Sequence, residues 1–404
     1  MSQKRRDVWI TGIGIISSLG EGMEPHRAAL NDTSGRGPVL DRDALAPYPY
    51  HPMCEVDLSA QIPRRGDQRQ MEPWQRYGVY AAGMALENAG VKDNADLLAT
   101  MDMVVAAGGG ERDISVDEAV MTKLAEGASL GDRAILEQLN GDLRPTLFLA
   151  QLPNLLAGNI SIVHGVTGTS RTFMGEEACG ADAARIGHAR IAAGQSEICL
   201  VGGSFNAARP DMLLVLAFAE AALRGEWKPV WEREANPGAV FGSMGAFLVM
   251  ESPEHAKARG ARPLAKLTGI EADRCARKPG EAGEIAHRQW QALSPSTEGK
   301  PLAILSGASG AGAATAEERA FLTSICDVRP DTAVRATGTM LGHGMEPQFL
   351  LNLALAALTV SDGKIFPPRD ATGLEKPLSG EVRHAIVTGW GHWRGEAMAL
   401  VEAV

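Results

Sequence analysis

Short apolar runs alternate with longer segments of helical periodicity along most of the chain. In the first part, residues 8–16 form an apolar run that contains glycines, and residues 103–107, 198–203 and 247–250 form similar runs. Runs of this length without regular polar alternation are typical of strands that are buried on both faces. They predict a sheet that is covered by helices on both sides.

The C-terminal part repeats the pattern. Residues 264–270, 302–305 and 385–388 are apolar runs, and residues 347–360 have the length and spacing of a buried helix. Strands that alternate with helices over this length predict an α/β fold with largely buried sheets. We predict two halves of similar strand and helix order that meet near residue 253.

Two helices are predicted where glycine follows a periodic segment. Residues 74–89 end before Gly90, and residues 181–193 end before Gly194, which are both plausible C-caps. Residues 31–70 are rich in proline, aspartate and arginine, and we predict an extended loop there.

Composition narrows the classes of function. The chain has 404 residues, 45% of them apolar, and a formal net charge of -10 without a block of like charge. Nucleic acid is therefore not an expected partner, because it requires a basic face. Five scattered cysteines without a C-x-x-C pair argue against a disulfide framework or a zinc site and favour a reducing compartment.

We expect neither a signal peptide nor a membrane-spanning segment in this sequence. The N-terminus runs into the first predicted strand without the apolar core of a signal peptide. The longest apolar run, residues 349–360, contains an asparagine and is too short to span a bilayer. We predict a cytoplasmic protein without a membrane span.

A glycine pair in the first strand nearly matches a dinucleotide-binding loop. Gly12 and Gly14 have the right spacing, but the third glycine is missing. No acidic residue follows a second strand at the required distance. The motif therefore does not predict nucleotide binding.

Four segments together resemble the β-ketoacyl-acyl carrier protein synthases, the condensing enzymes of fatty-acid and polyketide synthesis. They are residues 9–14 (WITGIG), residues 187–203, residues 250–261 (MESPEHAKARGA), and Gly342-His343 with the apolar helix and proline pair that follow. The resemblance covers nearly the whole chain. It implies a thiolase-like fold of two similar halves, residues 1–253 and 254–404, in five alternating α and β layers. It also implies a dimer with an active site between the halves.

The active-site positions depart from the family pattern. Family members carry an acyl group on a cysteine at a helix N-terminus, and two histidines stabilise the enolate formed from malonyl-carrier protein. Aligned with that pattern, the cysteine position is Glu177, the first histidine position is Ser306, and the second histidine is His343. The family lysine falls at Gly338, and Glu317 matches a family carboxylate on the same count.

Each of these residues has two interpretations. In one interpretation, Glu177 mimics a substrate carboxylate or a reacted nucleophile. In the other, it interacts favourably with the positive end of a helix dipole, and the two interpretations are compatible. Cys179 is the alternative nucleophile, although residues i and i+2 do not share a helix face; otherwise it is a small buried filler. His343 is either catalytic or a structural remnant.

A tryptophan-rich turn resembles the gate loop of the family. In residues 388–393 (TGWGHW), Trp390 and His392 replace smaller family residues. They predict a blocked or reshaped substrate pocket. The alternative is that the two tryptophans only pack in a buried turn and have no role in function.

The resemblance implies acyl carrier protein as a partner, which delivers its substrate on phosphopantetheine, so no bound cofactor or metal is expected. A cluster of three arginines, Arg64, Arg65 and Arg69, is the candidate docking site for this acidic protein, with a solvated charged loop as the alternative. The dimer would be either a homodimer or a heterodimer with an active ketosynthase.

Four functions follow from the altered positions. The first is a catalytically degenerate subunit that partners an active synthase and shapes the acyl tunnel, as chain-length factors do. The second is an active 3-oxoacyl-carrier protein synthase with a rearranged site at Cys179 and His343. The third is a malonyl-carrier protein decarboxylase, and the fourth is a non-enzymatic scaffold that binds carrier protein or an acyl chain.

Overall fold

The apolar runs of the sequence form one hydrogen-bonded mixed sheet in a computed structural model that describes residues 5–145, 147–393 and 395–404. The first four residues, on which the prediction about targeting depends in part, lie outside the described residues. The strands are β1 (Trp9–Ser17), β2 (Gly20–Glu21), β3 (Asp102–Ala107), β4 (Ser170–Met174), β5 (Ile198–Phe205), β6 (Met244–Glu251), β7 (Ala265–Asp273), β8 (Leu302–Ser306), β9 (Thr332–Ala336), β10 (His384–Trp390) and β11 (Glu396–Glu402).

The helices connect these strands and cover the sheet. They are α1 (Met23–Asn31), α2 (Arg65–Gln70), α3 (Pro73–Asn88), α4 (Ala95–Thr100), α5 (Ile114–Ala125), α6 (Arg133–Asp142), α7 (Leu147–Ala150), α8 (Leu155–His164), α9 (Ala178–Ala192), α10 (Pro210–Phe218), α11 (Pro253–Ala258), α12 (Glu281–Leu293), α13 (Gly312–Val328), α14 (Gly338–Leu341) and α15 (Gln348–Asp362). Short 3-10 turns span Leu58–Ala60, Val230–Glu232 and Ser294–Thr297. Among the described residues, no helix combines the length and the apolar character needed to cross a membrane.

The strand order repeats from one half of the chain to the other. It runs β4-β3-β5-β6-β1-β7-β11-β10-β8-β9, and β2 pairs with β1. If β2 is set aside, each half reads third, second, fourth, fifth and first strand from its outer edge to the centre. The two first strands, β1 and β7, pair with each other in antiparallel fashion. Two similar halves would produce this order, and their division at residue 253 remains a prediction.

Helices lie on the outer faces and between the halves. Helices α3 and α8 contact the strands of the first half, and α12 and α13 contact those of the second. Helix α9 contacts β3 and β5 as well as β7, and α15 contacts β10 and β11 as well as β6. The two helices therefore form a central layer, at whose ends side chains from both halves meet.

The glycines of β1 serve close packing of helix on strand. Gly12 and Gly14 lie within the strand rather than in a turn. A Cβ atom on Gly14 would lie 2.0 Å from the carbonyl oxygen of Ala81, and one on Gly12 would lie 2.5 Å from that of Ala85, both in α3. Close packing against α3 therefore accounts for the glycines at both positions.

Several sequence-based boundaries were wrong. Residues 31–70 are not one extended loop, because they contain the 3-10 turn Leu58–Ala60 and helix α2. The turn begins where the Asp57 side chain accepts a hydrogen bond from the Ser59 N–H. The predictions also lacked β2, β4, β9 and β11. The first three are short or carry polar residues and so give weak apolar runs, whereas β11 contains the apolar run of residues 397–401, which the prediction left out.

Candidate active site

Glu177 lies at the end of a tight turn between β4 and α9. Gly175 has a φ of 144°, a backbone conformation that side-chain-bearing residues rarely adopt, and α9 begins at Ala178. The Glu177 side chain makes no capping hydrogen bond to the first turn of α9. It is 7% exposed and points inward instead, so the helix-dipole interpretation alone does not account for its position.

His343 approaches the same point from the second half. It follows α14 through Gly342, and its backbone N–H donates to the carbonyl of Val240 at 2.8 Å. Its carbonyl accepts from the Gly242 N–H at 3.0 Å. These bonds fix the backbone on both sides of the histidine and leave its ring, which is 2% exposed, facing Glu177.

Glu177 and His343 form a buried pair. His343 Nε2 donates to Glu177 Oε1 at 3.3 Å, and the backbone N–H of His392 donates to the same oxygen at 3.2 Å. Burial alone would raise the pKa of Glu177, but the hydrogen bond and the charge of His343 outweigh it and hold this pKa below its ordinary value. Glu177 is therefore a carboxylate at neutral pH.

The cavity beside this pair is small. Its lining includes Glu177, His343, Gly307, Phe349 and Trp390, and its volume is about 10 Å³. This is room for roughly one water molecule. Neither an acyl chain nor the arm of a phosphopantetheine group fits into it beside Glu177.

Ser306 does not reach this cavity. Its Oγ donates to Glu318 Oε1 at 2.7 Å, and the backbone of Gly307 lines the cavity in its place. Glu318, and not the half-buried Glu317 of the ungapped count, is the carboxylate that faces Ser306. The matches of Ser306 to the first family histidine and of Glu317 to a family carboxylate remain predictions.

Cys179 is turned away from the pair. Its Sγ donates to the carbonyl of Gly175 at 3.3 Å, its side chain is 1% exposed, and it packs within the main apolar core. Burial raises the pKa of this thiol well above its ordinary value, and the nearby Glu346 and Glu177 add to the effect. A thiol in this environment is a poor nucleophile.

The tryptophan-rich turn closes the cavity. Trp390 is 3% exposed and packs against Phe321, with ring centroids 5.9 Å apart. Beyond it, Arg277 donates to the carbonyl of Gly391 and pairs with the buried Glu396 at 2.6 Å. The His392 ring does not line the cavity, and it stacks edge-on against the neighbouring Trp393 at 4.7 Å.

Glu346 is a buried acid that the sequence reasoning missed. It lies three residues after His343 and is 4% exposed, and the positive charge of Arg209 acts to lower its pKa. Burial raises the pKa of Glu346 to about 8, and the charge of Glu177 contributes to the increase. The sequence signal for this buried acid was a single glutamate within the largely apolar stretch that follows His343.

The three candidate docking arginines are exposed. Arg64 precedes α2, and Arg65 and Arg69 lie within it. Among the described residues, no carboxylate pairs with any of them, so their guanidinium groups are free to meet an acidic surface. They lie far from the Glu177 pair in the sequence and do not line its cavity.

Comparison with known families agrees with this architecture. The sequence model described as "Beta-ketoacyl synthase, N-terminal domain" matches residues 5–256. The chain belongs to the β-ketoacyl synthase family. This confirms the family resemblance drawn from the sequence motifs.

Relatives in the family are distant and extend over most of the chain. A 3-oxoacyl-(acyl-carrier-protein) synthase 2 of Vibrio cholerae is 25% identical over 311 residues, which are 73% of this chain and 66% of the relative. The enzyme of the same name from Rhizobium meliloti is 27% identical over 390 residues, 90% of this chain and 88% of the relative. The match therefore spans just under two thirds of the Vibrio enzyme.

A solved structure confirms the fold. The structure titled "The ishigamide ketosynthase/chain length factor" has a TM-score of 0.79 and 22% identity, and covers 99% of this chain and 100% of the other. At this identity the likeness establishes the fold, which is the predicted thiolase-like α/β architecture of ketosynthases.

Proposed function

We propose that this chain is a catalytically degenerate β-ketoacyl synthase subunit that pairs with an active ketosynthase in the elongation of acyl chains. In this role it shapes the acyl tunnel of the complex, as a chain-length factor does, and carries no acyl group itself. Acyl carrier protein supplies the substrate of the complex on its phosphopantetheine arm, and the complex works in the cytoplasm.

The observation that carries this proposal is the Glu177–His343 pair. A carboxylate occupies the position where the family places its nucleophile, and it is bonded to the surviving histidine at 3.3 Å. A carboxylate is a far poorer acyl acceptor than a thiolate. The cavity of about 10 Å³ also leaves no space for an acyl chain next to it.

The position of Cys179 does not favour a rearranged active site. Its thiol is buried behind the turn, and its raised pKa disfavours the thiolate that attacks a thioester. A decarboxylase needs donors that stabilise an enolate oxygen. His343 donates to Glu177 instead, and Ser306 donates to Glu318.

An open sheet edge supports a dimeric partner. Strand β4 ends the sheet, and an edge strand presents unpaired N–H and C=O groups to another chain. Over half of the large apolar side chains that are exposed among the described residues lie between positions 121 and 174, including Phe148 and Met174. Exposed apolar surface of this kind marks protein interfaces.

Docking of the carrier protein is assigned to Arg64, Arg65 and Arg69. Exposed cations without internal partners steer an acidic protein to the surface, although they add little affinity individually. Because the cavity of this chain is closed, we expect the carrier arm to enter the active site of the partner.

The test is condensation by separate and paired subunits. Candidate ketosynthases of the same organism are co-purified with the chain, and products from acyl- and malonyl-carrier protein are measured by mass spectrometry. We expect no product from this chain alone and elongated product from the pair. Condensation by the isolated chain would overturn the proposal, and carbon dioxide released from malonyl-carrier protein by the chain alone would favour the decarboxylase.

A matched pair of variants tests the proposed interface. Met174→Asp places a charge at the β4 edge and should abolish co-purification with the ketosynthase. Phe218→Asp makes the same change at an exposed residue of α10 and should leave co-purification intact. Equal behaviour of the two variants would contradict pairing through β4.

A further inference from the structure

A second and much larger cavity lies on the outer face of the second half. It is a groove of about 780 Å³ between α13 and residues 230–237, and it does not include Glu177 or His343. Small exposed side chains of α13, such as Ala316 and Ala320, form one wall, and Trp231 lies in the opposite wall. The lining is mainly apolar, so the groove suits a ligand with an apolar body.

Arg233 supplies a buried cation to this groove. Its side chain is 3% exposed and lines the groove beneath Gly310. Nε donates to the Lys228 carbonyl at 2.8 Å, and Nη1 donates to the carbonyls of Gly238 and Ser309, both at 3.1 Å. Among the described residues, Nη2 has no acceptor.

No carboxylate in the described part of the chain neutralises Arg233. Burial lowers the pKa of this guanidinium to about 9, so it remains charged at neutral pH. A buried charge without a counter-ion is costly, because the protein interior solvates it far less well than water does. Nη2 has almost no accessible surface, so an anion reaches it only if the groove wall at Arg233 shifts, and its arrival would then reduce this cost.

Two further features of the groove lining provide N–H donors. The indole Nε1–H of Trp231 is buried and has no acceptor among the described residues. Helix α13 begins at Gly312, which also lines the groove, and Ala311 at its N-cap provides no side-chain acceptor. The first turn of this 17-residue helix therefore directs N–H groups and the positive end of its dipole towards an anion.

The mouth of the groove is only loosely closed. Arg319 Nη1 and Glu234 Oε2 are 3.2 Å apart, and the Glu234 side chain is 85% exposed. Ion pairs at such exposed positions contribute little to stability. A ligand can therefore displace Glu234 at little cost and gain Arg319 as a second cation.

We propose that this groove binds an amphiphilic monoanion, with a carboxylate held at Arg233 and an alkyl body lying along α13. Nε and Nη1 of Arg233 are already bonded to carbonyls, so Nη2 is the nitrogen that is left to bind a carboxylate oxygen, and the Gly and Ala lining leaves space for the alkyl chain. The proposal does not depend on the proposed function, because none of its residues belongs to the Glu177 cavity.

The test uses the full chain and dodecanoate below its micellar concentration. Binding is measured by titration calorimetry and by tryptophan fluorescence, against dodecyltrimethylammonium and dodecanol as ligands of matched length. We expect saturable binding of dodecanoate and at least about tenfold weaker binding of the other two, a difference of about 1.4 kcal/mol or more.

Groove-filling variants locate the site. Ala316→Phe and Ala320→Phe place rings in the groove from exposed positions, so we expect an unchanged melting temperature and at least about a tenfold loss of dodecanoate affinity. Ala292→Phe, at an exposed position of α12 outside the groove, is the matched control and should bind as the wild type does. Arg233→Lys should also weaken binding while keeping a positive charge.

Three results would overturn the proposal. They are the absence of dodecanoate binding, equal affinity for the cationic amphiphile, and dodecanoate binding that survives both groove-filling variants. The Ala variants decide the outcome even if Arg233→Lys fails to fold.

Discussion

The cavity beside α9 and the layer beneath β8 each bury a glutamate, but the two acids have opposite environments. Glu177 keeps a histidine partner, and its pKa is lowered in spite of burial. Glu318 is fully buried, and its donors among the described residues are the hydroxyls of Ser306 at 2.7 Å and Thr388 at 2.6 Å. Burial raises the pKa of Glu318, and the hydroxyls offset only part of this increase.

The difference shows that the protonation state of a buried acid depends on its hydrogen-bond and charge partners as much as on the depth of its burial. Where the family alignment places a lysine, this chain has Gly338, and the raised pKa of Glu318 favours a form that needs no cation. The carboxylate of Glu177 keeps its hydrogen bond to His343. The absence of a lysine at position 338 is therefore consistent with the raised pKa of Glu318.

The largest effect is expected from breaking the Glu177–His343 pair. His343→Ala leaves the buried Glu177 carboxylate without its side-chain partner, and we expect a loss of about 3 to 5 kcal/mol in the free energy of unfolding at pH 7. Urea denaturation measures it. His392→Ala is the matched control, because it removes a ring but keeps the backbone N–H that bonds Glu177. Similar losses in the two variants would contradict a special role for the pair.

A smaller and pH-dependent effect is expected at Glu346. Its pKa is about 8 in the folded protein against an ordinary 4.5, so the folded state binds its proton more tightly. Stability from this group is present below pH 4.5 and is lost as the pH rises towards 8. Glu346→Gln should remove this dependence and stabilise the protein by about 3 kcal/mol at pH 8 relative to pH 5. Parallel pH profiles of the variant and the wild type would contradict a buried neutral acid.

The smallest effect is expected at Glu318. Because the raised pKa favours the neutral form of this acid, Glu318→Gln should cost about 1 kcal/mol or less. Ser306→Ala removes the hydrogen bond to Glu318 and the acceptor of the Ala308 N–H, and should cost about 1 to 3 kcal/mol. Thermal and urea unfolding at pH 7 measure both. A cost at Glu318→Gln as large as that of His343→Ala would show that Glu318 is ionised and would end the contrast between the two acids.

The sequence predicted the strands better than the site. Apolar runs such as residues 103–107 and 198–203 became β3 and β5 with nearly the predicted bounds, because burial on both faces leaves a strong pattern. Glu177 and His343, which the family resemblance assigns to the nucleophile and second-histidine positions, lie within hydrogen-bonding distance of each other.

The rest of the site depends on contacts that no local pattern records. The family resemblance matches Glu317 to a carboxylate, but no pattern in the sequence indicates that Glu318 is the buried acid that bonds Ser306. Glu346 and Arg233 lie next to groups distant in sequence, and their burial without a matching charge appears only in three dimensions.

The most direct test of the central claim is whether the chain accepts an acyl group. The intact protein is weighed by mass spectrometry after incubation with long-chain acyl-carrier protein, beside an active ketosynthase that confirms the donor is competent, and adducts are mapped to peptides. The closed Glu177–His343 pair predicts no acyl adduct on the folded chain. An acyl group on Cys179 would contradict the account and identify the chain as an active synthase.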